Sequence, residues 1–286
     1  MRRSKLFALG MLLAFVAAAC GGDDDAGPAA RQTFAAGSTM DTIQKAGKLR
    51  VGVKFDVPQF GLLNPATNKP EGFDVDMATE IAEALGVTAE YVEALSANRI
   101  PFLNEDKVDI VFSTMTITAE RKTQIDFSVV YYVAGQSFLT KKSRPLGSAT
   151  SGKKVCSAKG STSEKNVRVY RPGFSVILQD GYAQCFQLLQ SDQVDAVTTD
   201  DNILLGFLKS DPAQFQLEGG TWTKEPYGAG IKKGKTDFVE FVNGIIKEMK
   251  TDGRWQAIYD KWIKAAGGPD AQPPADDVAQ EPPKPA

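Results

Sequence analysis

The order of apolar and polar positions divides much of the chain into short strands alternating with amphipathic helices. "KLRVGVKF", "AEYVEAL" and "VDIVFSTMT" read as strands, with helical patterns between them. In "DVDMATEIAEALG" the apolar Val75, Met77, Ile81, Ala82 and Leu85 fall near helical spacing, and Gly86 closes the run. "NRIPFLNEDK" and "AERKTQI" predict shorter helices, and "QSFLTKK" another strand. This βαβα order predicts an α/β fold with parallel pairing in its sheet.

The pattern then restarts. "GKKVCSAKGSTSEKNV" predicts strand, turn and helix, "YAQCFQLLQSDQ" a helix, and "VDAVTTDDNILLGFL" strand, turn and helix again. The last of these echoes "VDIVFSTMTITAERK", since both run from Val-Asp into hydroxyls and a charged turn. Two similar α/β lobes account for the echo. "PYGAGIKKG" predicts a late strand, and "TDFVEFVNGIIKEMKTDGRWQAIYDKWI" two helices broken at "TDG". Phe238, Phe241, Val242, Ile245, Ile246 and Met249 share one face of the first, and Trp255, Ile258, Tyr259 and Trp262 read as core of the second.

The ends carry other signals. "MRRSK" followed by an apolar run, shorter than the roughly 20 residues of a membrane span, predicts a secretory signal. "VAAAC" resembles a bacterial lipobox, which makes Cys20 a lipidated anchor; ordinary cleavage near Ala19 is the alternative. Residues 1–20 are thus the signal with its lipobox cysteine. The small polar stretch 21–39 reads as a flexible tether, and the Pro-rich acidic 266–286 as a disordered tail. The expected location is extracytoplasmic, anchored to the cell membrane. The remaining cysteines, Cys156 and Cys185, form an even pair in an exported chain and predict a disulfide worth roughly 3–4 kcal/mol by loop closure.

Composition removes several chemistries. The net charge is −2 and no basic stripe appears, so nucleic acid is not an expected partner. The absence of histidine excludes Ser-His-Asp and Cys-His devices, and two isolated cysteines make a poor metal site. No GxGxxG follows a strand, and "AKGSTSEK" lacks the ending of a phosphate-binding loop, so no cofactor is expected. Polar groups do gather where strands end and helices begin: Lys54; Ser96 with Arg99; Thr114 with Thr116 and Arg121; Ser161 with Thr162; and Asp200. In open α/β sheets ligands bind at such ends. Three cations, several hydroxyls and one carboxylate suit a small zwitterion with a second carboxylate. Thr118 and Ser163 read as helix N-caps.

"GKLRVGVKFDVPQFG", "EGFDVDMATEIAEALG", "SANRIPFLNEDKVDIVFSTMTITAERKTQIDFSVVYYVAGQ", "KGSTSE", "VDAVTTDD" and "DGRWQAIYDKWI" together resemble the amino-acid branch of the bacterial extracellular solute-binding proteins, family 3. The resemblance implies a two-lobed type II periplasmic-binding fold. One lobe holds 40–132 and 229–265, the other 136–225, with hinge strands near "YYVAGQ" and "EPYGAG" and closure on ligand. It implies that Arg121 and Thr116 grip the ligand α-carboxylate, with Ser161 and Thr162 added from the other lobe. Thr114, through its carbonyl, and Asp200, or Asp201 one place on, hold the α-amino group. Lys54, Ser96 and Arg99 face the ligand side chain, so the expected ligand is L-glutamate or L-aspartate, with glutamine or asparagine as the alternative. Phe55 and Phe60 are both candidates for an aromatic stacked on the ligand. The implied role is the monomeric binding component of an ABC importer, partnered by a membrane permease and without catalysis. A ligand sensor and a lyase or dehydratase on the same fold are the other possibilities.

Overall fold

The computed structural model describes residues 32–148 and 151–281. Cys20 and the rest of the expected signal lie outside the described residues. The first described helix, α1 (Thr39–Ala46), is capped by the Ser38 hydroxyl, which accepts from the Asp41 amide. The Thr39 hydroxyl donates to Asp237, and Phe34 packs edge-on against Phe241. Part of the stretch expected to be a tether is therefore built into the fold.

The first sheet orders its strands β5–β1–β6–β15–β7: β1 (Lys48–Val53), β5 (Thr88–Glu93), β6 (Ile110–Val111), β7 (Ile125–Phe127) and β15 (Gly230–Lys232). β1 runs parallel to both β5 and β6, and β15 returns antiparallel. The second sheet repeats the plan in the order β11–β10–β12–β9–β13, from β9 (Gln136–Lys141), β10 (Lys154–Ala158), β11 (Ser175–Gln179), β12 (Ala196–Asp200) and β13 (Phe215–Glu218). Here β10 is parallel to β11 and β12, while β9 is antiparallel to β12 and β13. In each sheet the first of the parallel strands lies between the second and the third, which opens a crevice at the carboxyl ends of the strands. Two chain segments cross between the sheets and pair with each other, β8 (Tyr132–Ala134) and β14 (Glu225–Tyr227). The fold is the two-lobed periplasmic-binding type.

Helices cover both sheets. α2 (Phe73–Ala84) carries Asp74 and Asp76 in its first turn, where the helix dipole favours them, and buries Val75, Met77, Ala78, Ile81 and Ala82. α3 (Arg99–Asn104) and α4 (Ala119–Lys122) are short. In the second lobe lie α5 (Thr162–Tyr170), α6 (Tyr182–Gln190) and α7 (Asp201–Ser210). α8 (Thr236–Asp252) ends at Gly253 in the left-handed conformation, after which α9 (Arg254–Tyr259) begins. The Cys156–Cys185 disulfide ties β10 to α6 within the second lobe.

Three expectations change, and the pattern assigns no element to a fourth stretch. "VDIVFSTMT" is strand only at Ile110–Val111, because Thr114 adopts φ 44° and its amide is taken by the Asp74 carboxylate at 2.7 Å. A β-branched residue in that region is rare, and here a buried bond holds it. "PYGAGIKKG" is two strands, one in the hinge and one in the first sheet. The segment after Phe55 is a three-stranded antiparallel meander of β2 (Asp56–Val57), β3 (Gly61–Asn64) and β4 (Lys69–Glu71). The tail, expected to be disordered from 266, follows a defined course to Glu281. Pro269 accepts from the Tyr259 hydroxyl, Asp276 from the Val130 amide and the Lys250 ammonium, and Glu281 from Lys224.

Candidate ligand-binding cleft

The nine residues singled out from the sequence all lie where the two sheets face each other. Lys54 follows β1, and its ammonium donates to the Ser96 hydroxyl beyond β5 at 2.8 Å. Arg99, the first residue of α3, turns its guanidinium inward. Nε donates to the Ser96 carbonyl, and Nη1 to the carbonyls of Ser113 and Thr114 at 2.9 and 3.1 Å. Arg121 sits in α4 behind its cap Thr118, whose hydroxyl accepts from the Arg121 amide. Its guanidinium donates to the Thr116 carbonyl at 2.7 Å and, across the cleft, to the Gly160 carbonyl at 3.1 Å.

Lys54, Arg99 and Arg121 are 1, 2 and 9 % exposed, and the partners just named are all neutral. Burial, and then the charge of Arg99, push the Lys54 ammonium down to about 7. Burial, followed by Arg121, lowers Arg99, and burial also lowers Arg121. Asp200 closes β12 and stands at the N-cap position of α7 without capping it by its side chain. One of its oxygens accepts from the Tyr227 hydroxyl; the other is buried and, among the described residues, has no partner. Burial and the neighbouring Glu225 raise Asp200 well above the usual carboxylate range. Asp201 instead accepts from the Gly135 and Asn202 amides.

Thr116 and Thr162 meet across the cleft, their hydroxyls 3.4 Å apart. Among the described residues neither of their amides has an acceptor. Ser161, not Ser163, caps α5: its hydroxyl accepts from the Glu164 amide and donates to the Ala158 carbonyl. Ser163 lies inside the helix, so its expected capping role passes to Ser161. An open groove of about 900 Å³ is lined by Ser96, Arg121, Ser161 and Thr162; Lys54, Arg99, Thr114, Thr116 and Asp200 are buried away from it.

Residues 49–265 match the family described as bacterial extracellular solute-binding proteins, family 3. The chain belongs to that family. It is 42 % identical over 269 residues, 91 % of this chain and 97 % of the relative, to the "ABC transporter glutamine-binding protein GlnH" of Bacillus subtilis. It is 30 % identical over 228 residues, 74 % of this chain and 77 % of the relative, to the "Glutamate-binding protein GluB" of Corynebacterium glutamicum. Among solved structures, "An ancestral arginine-binding protein bound to glutamine" superposes with a TM-score of 0.71 at 41 % identity, covering 76 % of this chain and 98 % of that one. As a family member the chain is the extracytoplasmic, amino-acid-binding component of an ABC importer.

Three residues of this family member's cleft were not singled out in the sequence. Asp74 holds Thr114 in its unusual conformation and accepts from the Tyr131 hydroxyl at 2.8 Å. Burial raises it to about 7, against the lowering effect of those two donors. Tyr227 orients Asp200 from the hinge. Tyr182, at the start of α6, sets its ring 5.4 Å from the Lys54 ammonium. The two phenylalanine candidates differ in burial. Phe60 is buried among Phe73, Tyr132 and Tyr227, and Phe55 packs against the core. The partners of Asp74 are 40 and 57 residues away, so no local pattern marks it.

Proposed function

We propose that the protein captures L-glutamine and delivers it to its permease. The observation that carries this reading is the inward turn of Arg99. With Nε and Nη1 committed to three carbonyls, Arg99 braces the loops after β5 and β6 and keeps only Nη2 for a ligand, so the side-chain end of the site falls mainly to Lys54 and Ser96. A buried ammonium lowered to about 7, beside a hydroxyl, suits an amide better than a carboxylate with two opposed cations. An amide accepts a bond from the protonated amine or the hydroxyl, and donates to the amine when neutral. The relatives whose names specify glutamine support this choice over the acidic amino acids expected from the sequence.

In this reading the α-carboxylate lies against the Arg121 guanidinium and the Thr116 and Thr162 amides, which belong to different lobes. The α-ammonium meets the unpartnered oxygen of Asp200 and the Thr114 carbonyl. Each bond to a charged group contributes roughly 1.5–3 kcal/mol. The protein acts without catalysis, as a monomer, held to the membrane by a lipid on Cys20. Glutamate is the second reading, favoured by the gathering of Lys54, Arg99 and Arg121 in one cleft. Titration calorimetry of the purified protein with glutamine, glutamate, aspartate and arginine tests both. Glutamine is expected to bind at micromolar or better and at least tenfold more tightly than glutamate. A preference for glutamate reverses the assignment, and a preference for arginine removes both.

A further inference from the structure

Helix α6 has no N-cap side chain of its own. Its N-cap residue is Gly181, which offers no side-chain acceptor. The acceptor comes from the other lobe. Asp56, in β2 of the meander, receives the Tyr182 amide at 2.7 Å and the Ala183 amide at 3.3 Å on one carboxylate oxygen. Gln184 folds back onto the Gly181 and Asp180 amides, so the Tyr182 and Ala183 amides find their protein acceptor when the two lobes meet, and water must take its place when they part.

The surroundings are shaped for this contact. A Cβ at position 181 would lie 2.3 Å from the accepting Asp56 oxygen, and one at Gly206, in α7, 2.9 Å from the Pro58 ring. Both glycines let the second lobe approach the meander closely. Cys185 is bonded to Cys156 in β10, so a force applied to the start of α6 is passed to the second sheet.

We propose that Asp56 is a positioning residue for ligand capture, a latch that caps α6 across the cleft and stabilises the closed arrangement without touching the ligand. The proposal rests on capture by closure. Apparent affinity is the affinity of the closed form scaled by the fraction closed, so such a latch strengthens binding of every ligand by one factor. It also slows release.

Three variants separate the latch from other roles. Asp56→Ala removes the acceptor. Asp56→Asn removes the charge that faces Lys54 but keeps a good capping oxygen. Gly181→Ser keeps Asp56, gives α6 its own cap and fills the space the carboxylate occupies. Affinities are measured by calorimetry for glutamine and glutamate, and interlobe opening by small-angle scattering of the ligand-free proteins, with circular dichroism to establish folding. Asp56→Ala and Gly181→Ser are expected to weaken both amino acids by roughly tenfold, leave their ratio unchanged and enlarge the ligand-free radius of gyration. Asp56→Asn should recover most of the loss. The latch is overturned if Asn is as damaging as Ala, if the selectivity ratio moves, or if Asp56→Ala leaves affinity and scattering unchanged. Should the wild-type protein bind no amino acid, the functional reading fails. The ligand-free scattering then still decides the latch.

Discussion

Lys54 and Ser96 meet beyond the ends of two adjacent parallel strands, the buried ammonium donating at 2.8 Å to a neutral hydroxyl. Such a cation is held against its own solvation. Its protonation falls from 10.5 in a solvated chain to about 7 in the fold, a difference worth on the order of 5 kcal/mol. Because the unfolded chain binds the proton more tightly, the penalty is complete below about pH 7 and disappears as pH rises through 10.5. Lys54→Met is therefore expected to raise the ligand-free melting temperature at neutral pH by several degrees, with a smaller gain at about pH 10. Calorimetric melting at the two pH values checks this.

The same group makes selectivity depend on pH. A ligand carboxylate beside Lys54 requires the ammonium, whereas an amide is served by either protonation state. Glutamate affinity should fall relative to glutamine by up to roughly tenfold between about pH 6 and 8.5, and Lys54→Met should flatten the difference. A glutamine-to-glutamate ratio that holds constant over that range in the wild type would show that Lys54 does not meet the ligand side chain.

Arg121 is asked to do what only a fork can do. Its guanidinium already bridges the Thr116 and Gly160 carbonyls, one in each lobe, and still offers donors to a carboxylate. Arg121→Lys keeps the charge but not the plane, and should weaken every amino acid by roughly a hundredfold or more without changing their order. The melting temperature should fall as well, because the buried cation is kept while its bonds to the Thr116 and Gly160 carbonyls are weakened.

How much of this was legible before the fold was known differs from residue to residue. The helices α2 and α8 announce themselves because their buried faces repeat at helical spacing over three turns or more. Lys54, Arg121 and Asp200 were legible because each stands where a strand or its following turn ends, and such positions face the crevice. The meander β2–β4 was not, since strands of two to four residues carry no period. β6 was overextended for a different reason: what stops it is a bond from Asp74, forty residues earlier. Asp56, Tyr182 and Tyr227 act on partners in other elements, and the cap on α6 leaves only a glycine in the local sequence. Arg99 was legible as a cleft residue but not in its orientation, which depends on three carbonyls that converge only in the folded loops.

That orientation yields the sharpest contrast with the reading from sequence alone. If Arg99 faced the ligand side chain, removing it would chiefly change which amino acid binds. Its Nε and Nη1 instead bind the carbonyls of Ser96, Ser113 and Thr114, which fixes the two strand-end loops against each other. In Arg99→Ala these carbonyls lose a charged donor, and a fully buried side chain leaves a cavity. Relief of the buried charge offsets part of the cost, so the net destabilisation should be roughly 2–4 kcal/mol. Binding of all amino acids should weaken together, since Thr114 and Ser96 lose their anchor, while the glutamine-to-glutamate ratio stays within about twofold of the wild type. Arg99→Lys, which reaches fewer carbonyls from a single nitrogen, should fall between the two in stability. Denaturant melts of the three proteins alongside paired titrations check this, and a selective gain or loss for glutamate would return Arg99 to the specificity pocket.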